Sequence, residues 1–192
     1  WWYVDALSDD GRLGLVVIAF LGSVFSPYYA MARRRGDADP LEHCAINVAL
    51  YQPRGGRWAM TERSQRHMHR STRELTIGRS SLAWDAGKLQ LSLDEWCLPW
   101  PERLRGSVTL HPLALSACGP LPLDSHGDHH WWPIAPCARV EVDLHGPQGR
   151  WQGNGYLDSN RGRRPLEQTF AHWQWSRAEL PNGGSAVGLA TT

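Results

Sequence analysis

KLQLSLDEW, residues 88–96, alternates Leu89, Leu91 and Leu93 with Lys88, Gln90, Ser92 and Asp94. Successive side chains of a strand point to opposite faces, so this period of two marks a sheet with one dry face and one wet face. The same alternation recurs at Arg139–His145, where Val140, Val142 and Leu144 interleave with Glu141, Asp143 and His145, and a partner strand begins near Gly149. Toward the start, Trp1–Leu7 and Leu13–Leu21 flank Ser8-Asp9-Asp10-Gly11, a turn whose glycine supplies a positive φ. Glu42–Tyr51 and Arg57–Arg63 flank Gln52–Gly56 as a second hairpin, and Leu75–Ile77, Leu82–Trp84 and Leu104–Leu110 read as further short strands. No stretch reads as a convincing amphipathic helix. Gly22–Ala30, with Pro27 inside it, reads as irregular, Arg33–Pro40 as a polar loop, and Pro112–Pro122 as a proline-bounded connection. About a dozen short strands predict an all-β chain, an antiparallel meander closing on itself.

A chain of 192 residues, 42% hydrophobic and 20% charged, is long enough to bury one full domain or one and a part. Its 11 Trp far exceed ordinary usage. Flat apolar rings with a single N–H suit the lining of a cavity for a large apolar ligand, against the plainer reading of a Trp-rich core. A net charge of +1 leaves no electrostatic footprint for nucleic acid. Arg33, Arg34 and Arg35 form the one basic cluster and sit beside Gly36, Asp37 and Asp39. They read as a solvated loop, with peripheral contact to an anionic membrane surface as the alternative. The apolar run Leu13–Leu21 is nine residues, too short to span a bilayer. Nothing resembles a secretion signal, although a start at Trp1 without Met leaves a removed leader open. Cys44, Cys97, Cys118 and Cys137 show no C-x-x-C spacing and read as a reduced, cytoplasmic set of small apolar fillers. No nucleophile elbow, P-loop or dinucleotide fingerprint points to a hydrolase, nucleotide enzyme or dehydrogenase.

The chemistry concentrates in WQGNGYLDSNRGRRPLEQTFAHWQWSR, residues 151–177. In an extended strand Tyr156, Asp158 and Asn160 share one face, as Trp173 and Trp175 do on the next, so a carboxylate and a phenol look into an aromatic wall. The competing reading is a strand running into an Asx-type turn, with Asp158 and Asn160 bonding local amides. Upstream, Asp124, His126, Asp128, His129 and His130 invite a metal, but Gly127 and the mixed spacing suit a turn entering a strand. His67 and His69 lack a third ligand, so no metal site is expected there either. His129 and Trp131 share a strand face. Phe25, Tyr28 and Tyr29 read as a lid or as ordinary loop packing.

GYLDSN-x-G-x-x-PLE at 155–167, followed by F-x-x-W-x-WSRA at 170–178, resembles the signature of the carotenoid 1,2-hydratases, also called hydroxyneurosporene synthases. Matching blocks run along nearly the whole chain, among them WWYVDALSDDGR at 1–12, IAFLGSVFSPYYA at 18–30, RLRGSVTLHPLAL at 103–115 and WWPIAP at 131–136. The resemblance implies a tandem of lipocalin-like (calycin) barrels, with residues 1–135 as the first and 136–192 opening a second, truncated one. It implies addition of water across the terminal 1,2 double bond of an acyclic carotenoid such as neurosporene or lycopene, with no cofactor. Asp158 would be the acid, Tyr156 would position it, and His129 would hold the water or return the proton. Trp131 would offer its ring face to a cation, while Trp173, Trp175, Tyr28, Tyr29 and Phe25 would bind substrate. His130 offers a second imidazole. Two alternatives keep the fold: a calycin that binds an isoprenoid without reacting it, and a cyclase or pericyclase using the same pocket. The cysteine usage points to a cytoplasmic setting, with a peripheral place on the inner membrane as the alternative that the arginine cluster offers.

Overall fold

The computed structural model describes residues 1–192 apart from 37, 147–148 and 181–183. Its elements in order are β1 (Trp2–Ser8), β2 (Gly14–Phe20), α1 (Pro27–Arg35), β3 (Cys44–Tyr51), β4 (Arg57–Arg63), β5 (Met68–Arg70), β6 (Glu74–Ile77), β7 (Ser80–Asp85), β8 (Lys88–Leu98), β9 (Arg103–Ala114), β10 (Leu121–Pro122), β11 (His129–Leu144), β12 (Arg150–Gly162), α2 (Leu166–Thr169), β13 (Trp173–Glu179) and β14 (Ser185–Thr191). Among the described residues the antiparallel pairings run β1-β2-β3-β4-β8-β9-β11-β12 and return from β12 to β1. The sheet therefore closes as a lipocalin-like barrel, which removes the free edges that a flat meander of these strands would expose. β7 pairs the same edge of β8 that β4 uses at Cys97 and Leu98, and β6 and β5 extend the sheet from there. Among the described residues β13 and β14 pair only with each other. The expected boundary near residue 135 falls inside β11.

Alternation decides what fills the ring. Val4, Val17, Val48, Ala59, Leu93, Val108, Val140 and Leu157, one from each ring strand, are buried in a single apolar cluster. Each large aliphatic so buried contributes about 1.5–3 kcal/mol, and the interior is a filled core of medium-sized side chains. The tryptophans lie elsewhere: Trp2, Trp84 and Trp151 pack at the margins of that core, Trp96 and Trp100 are exposed, and others gather outside the wall.

Both helices depart from the sequence reading, and so does β10, which lies in the stretch read as a proline-bounded connection. The stretch read as irregular and then as a polar loop contains the helix α1. Ser26 caps it by accepting the Tyr29 N–H at 3.0 Å, Pro27 occupies the first turn, and Gly36 ends it in the left-handed region at φ 78°. No α1 residue is fully buried, so no apolar stripe betrays the helix in the sequence. Asp37, read as part of the loop, lies outside the described residues.

β12 needs its glycines. A Cβ on Gly153 would lie 2.0 Å from the Leu7 carbonyl oxygen, and one on Gly155 2.2 Å from Val140 Cγ2. Both side chains would intrude where β12 meets β1 and β11. Gly153→Ala is expected to lower stability by about 1–3 kcal/mol or more. Urea unfolding would read this as a reduced midpoint at unchanged slope, and an unchanged midpoint would show that the wall yields.

Candidate active site

On β12, Leu157 points into the barrel, so Tyr156, Asp158 and Asn160 point out of it. The strand continues to Gly162, and Asp158 bonds side chains rather than the amides of an Asx turn. On β1, Val4 and Ala6 point in and Tyr3 and Asp5 point out. The register sets Tyr3 opposite Asp158 and Asp5 opposite Tyr156. Two Tyr-x-Asp stretches, YVD at 3–5 and YLD at 156–158, thus lie antiparallel, each tyrosine beside the other's carboxylate. From β11, register shifts between Pro133 and Ala138 restore inward-facing Ala135, Ala138 and Val140 while leaving His129 and Trp131 on the outer face.

A cover buries this outer face. β13 lays Trp175 over both tyrosines, its ring centroid 5.4 Å from Tyr3 and 5.3 Å from Tyr156. Arg177 donates to Asp5 Oδ1 at 2.6 Å. Trp173 packs on Trp1 and Phe170, and Phe170 on the His129 ring at 4.9 Å.

Asp158 is 2% exposed. Its Oδ2 accepts from Trp131 Nε1 at 2.8 Å and from the Tyr156 hydroxyl at 2.9 Å, while among the described residues Oδ1 accepts only from Asn160 Nδ2, at 3.2 Å. Burial pushes its pKa up to about 6, against the pull of the Trp131 and Tyr156 hydrogen bonds and with help from the nearby Asp5 charge. Burial and the adjacent Asp158 also push the Tyr156 phenol upward, so it remains a neutral donor. Burial raises Asp5, and Arg177 opposes the rise.

His129 shares this face but makes other contacts. Its Nε2 donates to the Arg164 carbonyl at 2.9 Å, and its Nδ1 lies 3.3 Å from Asp124 Oδ2. Asp124 also accepts the backbone N–H groups of His126, Asp128 and His129. Its own desolvation pushes its pKa up, but these amides outweigh it and hold the carboxyl at about 2. The Asp124–His130 segment is a turn closed on a carboxylate, and among the described residues no group of three or more His, Cys, Asp or Glu is arranged to hold a metal.

Beside the buried carboxyl runs a cleft of about 860 Å³, bordered by Trp1, Trp173, His129, Asn160, Tyr29 and Arg33 among others. Asp158 lies behind Asn160. Of the sequence-predicted binding residues, Trp173 and Tyr29 border the cleft and Trp175 covers the tyrosines. Phe25 packs edge-on against Phe20 but is largely exposed, and Tyr28 is 69% exposed. Sequence reasoning missed Tyr3, Asp5 and Arg177, although the repeated Tyr-x-Asp was there to find.

A family model described as "Carotenoid hydratase CrtC" matches residues 17–191. The acyclic carotenoid 1,2-hydratase of Thiocapsa roseopersicina is 56% identical over 183 residues, covering 95% of this chain and 45% of that protein. The enzyme of the same name from Rubrivivax gelatinosus is 52% identical over 189 residues, 97% and 46% respectively. That from Rhodobacter capsulatus is 41% identical over 165 residues, 85% and 57%. The chain spans about half the length of the curated relatives it matches.

A carboxyl raised to about 6 from an ordinary value of about 3.9 has a defined effect on stability. The folded state binds the proton more tightly, so its contribution is fully present below pH of about 4 and is lost as pH rises through about 6. Asp158→Asn removes the charge but keeps an acceptor for Trp131 and Tyr156, and the Asn160 amide can turn to accept from the new N–H. In the full-length protein this variant is expected to melt roughly 2–8 °C above the parent at pH 8. The gap should close near pH 4. Calorimetry across that range checks it, and a pH-independent difference would refute the burial cost.

Proposed function

The chain belongs to the carotenoid hydratase family, and from that premise we propose that the full-length protein adds water across the terminal 1,2 double bond of an acyclic carotenoid, with Asp158 as the acid. The observation that carries this is the carboxyl of Asp158, buried, raised to about 6 and set beside an aromatic cleft. A binder needs the aromatic cleft but gains nothing from a buried carboxyl whose proton affinity is raised. Protonating C2 of a trisubstituted alkene leaves a tertiary cation at C1, which demands an acid whose proton affinity is raised toward the working pH. Because Oδ2 is already loaded by two donors, the transferable proton belongs on Oδ1, the oxygen toward Asn160.

Tyr156 and Trp131 orient the carboxyl, and the Trp131 ring adjoins the site of developing charge, an attraction of about 1–2 kcal/mol when desolvated. Water adds to C1, and the oxonium returns its proton to Asp158. The elements of water are added without change of oxidation state, so no redox cofactor enters, and no metal is needed in this route. His129, its ring nitrogens taken up by Asp124 and the Arg164 carbonyl, forms part of the cleft wall. Trp173, Trp175 and Tyr29 pack against the polyene. The β13–β14 hairpin, in this reading, opens the second barrel.

The substrate class also suggests a lipid surface as the source. No helix among the described residues is long and apolar enough to cross a membrane. The end of α1 carries Arg33, Arg34 and Arg35, and Phe25, Tyr28 and Met31 are exposed beside it, next to the cleft. Peripheral contact through this segment accounts for both features. Arg34→Glu with Arg35→Glu is expected to reduce co-sedimentation with phosphatidylserine vesicles several-fold and leave binding to neutral vesicles unchanged.

Asp158→Asn in the full-length protein should lower lycopene hydration by about 10²–10⁴-fold while pigment is retained. In the parent, the rate should be highest with the acid protonated and fall as pH rises through about 6. Chromatographic assay of 1-hydroxylycopene from pH 5 to 8 checks both. Undiminished hydration by the variant removes Asp158 as the acid, and a parent that holds pigment without ever forming the alcohol is a binder.

A further inference from the structure

Hydration needs a second group besides the acid: something must hold the water that captures the cation. It must accept a hydrogen bond from that water, so that an oxygen lone pair faces C1. Most polar groups around Asp158 cannot do this. The Tyr156 hydroxyl is fully buried and directed at Asp158 Oδ2. Both His129 ring nitrogens face Asp124 and the Arg164 carbonyl. The indole N–H groups of Trp131 and Trp175 are donors only.

Asn160 differs from all of these. The residue is 7% exposed, it borders the cleft, and its Nδ2 donates to Asp158 Oδ1 at 3.2 Å. Its Oδ1 is buried and has no hydrogen-bond partner among the described residues. A buried acceptor left unpaired costs about 1–3 kcal/mol, so its retention beside the acid calls for a ligand. We infer that Asn160 is a catalytic residue that holds the nucleophilic water through its Oδ1, an inference that rests on the hydratase reading above.

The step balances. The Asp158 Oδ1–H bond breaks as the π pair of C1=C2 takes the proton at C2. The Asn160-held water gives a lone pair to C1, forming the C–O bond. One O–H bond of the oxonium then breaks, and its proton returns to Asp158 Oδ1, to which Asn160 Nδ2 already points. Acid and water are thereby held by the two ends of one amide, on the same face of the alkene.

A cation that is not captured has one other exit, loss of a proton to give an alkene again. In D₂O that alkene carries deuterium. The full-length parent, Asn160→Ala and Asn160→Ser are therefore incubated with lycopene in buffered D₂O, and the alcohol and the deuterium in recovered lycopene are measured by chromatography and mass spectrometry. Asn160→Ala is expected to lose about 10–100-fold in alcohol while still labelling the alkene, so that the ratio of labelled alkene to alcohol rises at least about tenfold. Asn160→Ser, which restores a small acceptor, should bring the ratio back toward the parent's. If Asn160→Ala fails to fold, the same ratio in Asn160→Leu, of similar size and without an acceptor, decides: raised above the parent's it supports the assignment, equal to the parent's it overturns it. Alcohol and label falling together in Asn160→Ala, or neither falling, also overturns it, since a purely structural role scales both alike. Asp158→Asn is run beside them: if it still forms alcohol and label, the assignment of Asp158 as the acid has failed and not the role of Asn160, whereas a parent that forms neither alcohol nor label removes the hydratase reading itself.

Discussion

The antiparallel pairing of β12 with β1, Gly153–Ser159 against Trp2–Ser8, is the constraint on which the rest of the molecule depends. It closes the ring, and by closing it divides the side chains of both strands between two environments. Leu157 and Val4 complete a filled apolar core. Tyr156, Asp158, Tyr3 and Asp5 are turned to the other side of the wall. A slip of one residue would exchange the two sets, burying carboxylates among aliphatics and exposing the core residues. The glycines of β12 hold the strand near enough to both neighbours for this register to form.

Because the barrel interior is full, the site had to be made outside it and then covered. The cover is the β13–β14 hairpin, and Arg177 with Asp5 ties it down through an ion pair in which both side chains are almost nine-tenths buried. Such a pair contributes little net stability, but loss of one partner strands a buried charge, so it specifies how the hairpin sits. Trp175 is thereby held over Tyr3 and Tyr156, water is kept from Asp158, and desolvation outweighs two hydrogen bonds to raise its pKa. Fold, cover and acidity form one chain of cause.

Much of this was legible in the sequence where the local period is regular. The leucines of 88–96 and the valines of 139–145 announced strands with one buried face, and both are strands of the closed ring. The turn at Asp124 was legible because Asx chemistry is local. The helix α1 was not, since it buries no face and therefore leaves no stripe; its signals are a serine cap, a proline and a closing glycine.

The sequence by itself determined that Tyr156, Asp158 and Asn160 share a face and that His129 and Trp131 share another, because two-residue periodicity is a property of any strand. It could not say that Trp131 reaches Asp158 while His129 turns to Asp124 and Arg164, nor that Asp5, more than 150 positions away, lies beside Tyr156. Those facts follow from which strands become neighbours and in what register. Neighbourhood is decided by closure of the whole ring around its core, a global packing condition that no short stretch contains. The proton affinity of Asp158 belongs to the same class, for it is set by the water excluded when β13 folds across strands formed at the two ends of the chain.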